Sequence, residues 1–65
     1  MKIFVEEIRI RKGISLMRLH KLSGVSYSHL HGIEAGTKMP SVDVACKIAK
    51  ALGVSLDELI SCEDD

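Results

Sequence analysis

The residues with chemistry to offer are concentrated between Gly24 and Ala35, in the run Gly-Val-Ser-Tyr-Ser-His-Leu-His-Gly-Ile-Glu-Ala. On a short helix opened by Ser26, the side chains of Tyr27, Ser28, His29, His31 and the bare Gly32 read as an outward face, with Leu30 and Ile33 inward. Hydroxyls, a phenol and imidazoles make single hydrogen bonds, which suit the edges of bases in a nucleic-acid groove. The same residues make poor catalysts. No nucleophile stands beside a base, no glycine loop cradles a phosphate and no two acids share a plausible cleft, so no enzymatic activity is expected. His20, His29 and His31 invite a metal, but helical residues two apart point about 200° around the axis from one another. No metal site and no cofactor is expected.

These side chains need a scaffold, and the chain supplies its joints three times over. Gly13-Ile14-Ser15, Gly24-Val25-Ser26 and Gly53-Val54-Ser55 share one pattern. In each, glycine ends one helix in a left-handed conformation and serine caps the free N–H groups of the next. The apolar residue between them matches a hydrophobic staple with Leu19, Leu30 and Leu59, each four residues after its serine. Ser55 and Glu58 add a capping box. A fourth joint, Gly36-Thr37-Lys38-Met39-Pro40-Ser41, closes one helix and caps another. Five helices are predicted, at about 3–12, 16–23, 27–34, 42–52 and 56–61. Only Met1–Val5, short and rich in β-branched residues, has an extended character at its start.

The 65 residues suffice for one domain, expected over 1–61 and followed by a short acidic tail at 62–65. Formal net charge is zero, yet residues 1–56 carry nine positive and four negative charges, a formal +5. A basic body suits a phosphate-bearing partner. Cys46 and Cys62 follow no metal or redox spacing and read as reduced thiols of a cytoplasmic protein. No apolar run approaches the roughly 20 residues that span a bilayer, so no membrane partner is expected.

Helices two and three, joined by Gly24-Val25-Ser26, form a helix-turn-helix. With Ile8-Arg9, Lys21-Leu22-Ser23, Ile33-Glu34, Gly36, Pro40-Ser41 and the run Lys47 to Leu59, the chain resembles the phage repressor and Cro-like family, also called the XRE family. The resemblance implies an all-α, five-helix bundle, the lambda-repressor-like DNA-binding domain. Its third helix enters the major groove of double-stranded DNA, commonly as a homodimer on a palindromic operator. Carried over by position, Ser26, Tyr27, Ser28, His31 and Gly32 face the bases. Ser15, the Leu16 amide, Thr37 and Lys38 meet phosphates, and Arg9 with Glu34 forms a structural pair. Val54 and Ile60 are candidates for a dimer contact, and Cys46 falls at a position where relatives carry a core aliphatic residue.

Departures from the family pattern carry equal weight. Leu16 replaces a glutamine that grips phosphate, Met39 replaces an asparagine, and His20 replaces a small residue between helices two and three. The imidazole then requires a wider crossing, a tilted ring or a hydrogen bond. Helix three carries no Arg, Lys, Asn or Gln, the side chains that fork onto guanine or adenine. The leading expectation is therefore a transcriptional repressor with soft base readout, acting by blocking polymerase or through a protein co-regulator. The competing one is a protein-interaction or antitoxin module that kept the fold with weak DNA binding.

Overall fold

Serine hydroxyls open four of the helices. In the computed structural model, which describes residues 2–62, the Oγ atoms of Ser15, Ser26, Ser41 and Ser55 accept from the amides of Arg18, His29, Val44 and Glu58 at 3.0–3.3 Å. Each bond satisfies one of the amides that a helix start leaves without an intrahelical partner. The helices that result are α1 (Val5–Arg11), α2 (Leu16–Ser23), α3 (Tyr27–Ala35), α4 (Val42–Leu52) and α5 (Leu56–Leu59).

Two boundaries differ from expectation for one reason. The first helix begins at Val5 and the last ends at Leu59, because Lys2–Ile3 (β1) pairs antiparallel with Ile60–Ser61 (β2). Lys2 faces Ser61, Ile3 faces Ile60, and the Phe4 amide donates to the Leu59 carbonyl at 2.8 Å. β-Branched Ile3 and Ile60 favour the extended backbone, and the pairing occupies amides and carbonyls that frayed helix ends would leave open. Ile60 therefore sits on a strand, not on the last helix. Glu63 to Asp65 of the expected acidic tail lie outside the described residues.

Val5, Ile8, Leu19, Val25, Leu30, Ile33, Ala45, Ile48, Ala49, Leu52 and Leu59 form one core contributed by all five helices and the α2–α3 turn. The staple partners belong to it: Val25, Leu30, Leu19 and Leu59 are buried, with Ile14 and Val54 packed at its margin. Each large aliphatic side chain buried this way contributes about 1.5–3 kcal/mol. The helical stripe has limits, since Leu22 is half exposed. Cys46 is also exposed, correcting its expected place in the core: α4 buries Ala45, Ile48, Ala49 and Leu52, and position 46 lies off that face. Among the described residues no helix is long and apolar enough to cross a membrane.

Candidate nucleic-acid interface

The approach of α2 to α3 is set by the turn between them. Gly24 ends α2 at φ 77°, a left-handed backbone that a Cβ would strain, and its amide returns to the His20 carbonyl. The chain then runs extended into Ser26, the cap of α3. His20 is accommodated here by a hydrogen bond. Its Nδ1 lies 2.7 Å from the Val25 carbonyl, which can only accept, so Nδ1 carries the proton and donates. An imidazole where the family keeps a small residue thus braces the turn.

Two of the groups expected at the bases are brought to one side of this unit with one expected at phosphate. Tyr27, His31 and the half-buried Leu16 border a cleft of about 390 Å3, with Ala35, Glu6, Arg9 and Glu34 completing its walls. Ser26 adjoins Tyr27 as the cap, Ser28 is exposed one residue further, and Ser15 is exposed at the start of α2. The capping serines use an oxygen lone pair and keep the O–H free to donate to an anion. The Leu16 amide, first in its helix, has no intrahelical acceptor and lies at the positive end of the helix dipole.

Within the wall of the cleft Arg9 and Glu34 are paired with each other. Arg9 Nε and Nη2 donate to the two Glu34 carboxylate oxygens at 2.8 and 3.1 Å, and Nη1 donates to the Ile14 carbonyl at 3.0 Å. The side chains are only 14% and 8% exposed. The hydrogen bond to Glu34, helped by its negative charge, raises the Arg9 pKa above the ordinary guanidinium value despite burial. This fork ties α1 and the α1–α2 turn to the last turn of α3.

Two positions read as outward are not open. Gly32 is buried, because the Lys38 side chain lies across it: a Cβ on Gly32 would stand 2.8 Å from Lys38 Cδ and 2.9 Å from Cγ. Gly32 is therefore not a free base-facing position, which corrects the expectation. His29 is half-buried, and its Nε2 is enclosed without a hydrogen-bond partner. The cause of the Gly32 burial is the segment after α3, which folds back instead of leading away. The Gly32 carbonyl accepts from the Thr37 and Lys38 amides at 2.9 and 3.1 Å and from the Thr37 hydroxyl at 3.2 Å. Thr37 and Lys38 are thereby held beside α3, exposed on its outer side. Sequence reasoning missed this packing, although a glycine inside a helix with no turn to make is a signal for close approach.

The model of the helix-turn-helix family matches residues 5–59. The chain belongs to that family. Relatives of this helix-turn-helix protein include an HTH-type transcriptional regulator of Mycobacterium tuberculosis, 41% identical over 56 residues, covering 86% of this chain and 40% of the relative. The chain thus spans well under half the length of that protein. HTH-type transcriptional regulator YgzD of Bacillus subtilis is 34% identical across 100% of the chain and 98% of its own length. Among solved structures, the restriction-modification controller protein C.AhdI from Aeromonas hydrophila superposes with a TM-score of 0.83 at 36% identity, covering 86% of this chain and 85% of that one. These relatives are named as transcriptional regulators and as a controller protein.

Proposed function

We propose that this protein is a sequence-specific DNA-binding transcriptional regulator, a repressor that occupies a palindromic operator as a homodimer and blocks polymerase. One observation carries the reading. The exposed start of α3, with Ser26, Tyr27, Ser28 and His31, is flanked by the capped N-terminus of α2 on one side and by Thr37–Lys38 on the other. A recognition helix in the major groove needs that arrangement: base-facing side chains at its start, and donors to the phosphates on either side of the groove. Ser15, the Leu16 amide and Thr37 supply neutral donors, and Lys38 supplies the positive charge that α3 lacks. The relatives' names as transcriptional regulators support the same reading. Val54 and Ile60, half-buried at the margin of the core, are the proposed contact with a second copy.

Selection of bound DNA from a random pool tests the proposal. A palindrome with half-sites about one helical turn, roughly 34–36 Å, apart is expected. Affinity should fall with salt at a slope of about −0.9 per phosphate neutralised. Tyr27→Ala should change the selected sequence. If no motif is enriched and binding is negligible at low salt, the chain is instead a protein-interaction module on a helix-turn-helix scaffold.

A further inference from the structure

We propose that Lys38 is a specificity-determining residue that reads a guanine, its stem laid across Gly32 so that its ammonium takes the place of a recognition-helix side chain. The inference rests on the DNA-binding reading above and goes beyond a phosphate contact for this lysine.

The contact between the two residues is extended. A Cβ on Gly32 would meet Lys38 Cδ at 2.8 Å, Cγ at 2.9 Å and Cβ at 3.3 Å, so three successive carbons of the stem pass over the glycine. The stem fills the space that any side chain at position 32 would need. Position 32 lies one turn beyond Ser28, on the same face of α3, so the stem continues the reading surface that Ser28 begins. Only Cε and Nζ lie beyond Cδ, and the ammonium emerges from that patch of helix surface.

The backbone beneath the lysine is anchored to the same glycine. Gly36 turns the chain at φ 81°, and the Thr37 and Lys38 amides and the Thr37 hydroxyl converge on the Gly32 carbonyl. A stem already laid down loses less rotamer freedom on binding than a lysine free in solvent. A lysine serving only as a mobile phosphate counter-charge has no need of a gap in the recognition helix.

The chemistry of α3 points the same way. It has no Arg, Lys, Asn or Gln, and Lys38 is the lone cationic Lys or Arg between Lys21 and Lys47. Guanine presents O6 and N7 as adjacent acceptors in the major groove, and an ammonium can donate to both. Hydroxyls, a phenol and an imidazole on α3 leave that contact unfilled. Gly32 is accordingly a positioning residue, acting through Lys38.

Lys38→Met keeps a stem and removes the ammonium, whereas Gly32→Ala keeps the charge and displaces the stem. Alanine favours a helix over glycine, and the displaced atoms belong to an exposed side chain, so the fold should survive, as circular dichroism will show. The readout is relative affinity for every base at each half-site position. The wild type should prefer guanine at one position, and each variant should lose that preference about tenfold with the other positions unchanged. The double variant should be no worse than either single one, because both remove the same contact. If Lys38→Met weakens all sequences alike and the guanine preference stays, the lysine is a phosphate anchor and the inference fails alone. It also fails if Gly32→Ala leaves the preference intact. If the wild type selects no motif, the DNA-binding reading fails and takes this inference with it.

Discussion

Arg9 shows how much a single side chain can organise. Its guanidinium spends Nε, Nη1 and Nη2 on Glu34 and on the Ile14 carbonyl, so one group joins α1 to α3 and to the turn that leads into α2, at the wall of the cleft. Removing one partner of a fully buried pair costs about 3–5 kcal/mol, because the survivor is left as an unpaired charge. Here the cleft admits water to the survivor. Glu34→Ala should therefore destabilise by about 2–3 kcal/mol in urea unfolding, and a loss under about 1 kcal/mol would place the pair among ordinary surface bridges. Arg9→Lys should recover only part of the stability, since an ammonium cannot reproduce the fork. The pair, 25 residues apart, was legible only through the family resemblance, as no local pattern links such distant positions. Gly32 and His29 were misread for a complementary reason. Helical rotation assigns faces within one helix, and neither position is judged correctly until the chain packed against that helix is known.

Capping is chemistry of near neighbours, and the glycine–serine joints were legible for that reason. The fifth helix has four residues and depends heavily on its box, in which the Ser55 amide and hydroxyl both donate to Glu58 Oε1 at 3.1 and 3.2 Å. Those bonds, the amide's foremost, hold the Glu58 carboxyl below its ordinary value of 4.5. A depressed carboxyl contributes stability that is complete above the unfolded-state value and is lost as pH falls through the folded-state one. Wild type should therefore melt above Glu58→Gln at pH 6, and the gap should shrink progressively as pH falls below the ordinary glutamate range. An equal gap throughout, in paired thermal melts, would show that the carboxylate is not what glutamine fails to replace. The β1–β2 pairing was only half legible. Residues 1–5 carried an extended signature, but a two-residue ladder depends on its partner, and Lys2 meets Ser61 only once the bundle has brought the ends together. Cys46 was misplaced because an expectation borrowed from relatives overrode the register of its own helix, which buries Ala45, Ile48, Ala49 and Leu52.

At the scale of the whole molecule, zero net charge conceals a partition that salt should reveal. Residues 1–56 carry a formal +5, and Glu63, Asp64 and Asp65 bring three of the balancing charges at the other end of the sequence. The described residues span 33 × 22 × 20 Å. The Debye length is about 30 Å at 0.01 M salt and about 8 Å at 0.15 M, so the acids are felt across such a body only when salt is low. Neutralising Glu63, Asp64 and Asp65 to Gln, Asn and Asn raises the formal net charge to +3. The field that draws the protein to DNA should strengthen with it. The variant is expected to bind its selected operator about two- to fivefold tighter at 0.01 M salt. At 0.15 M the two proteins should be indistinguishable in the same titration. A gain that persists undiminished at the higher salt would mean that these acids meet the DNA or the recognition surface directly, since only short-range contacts escape that much screening.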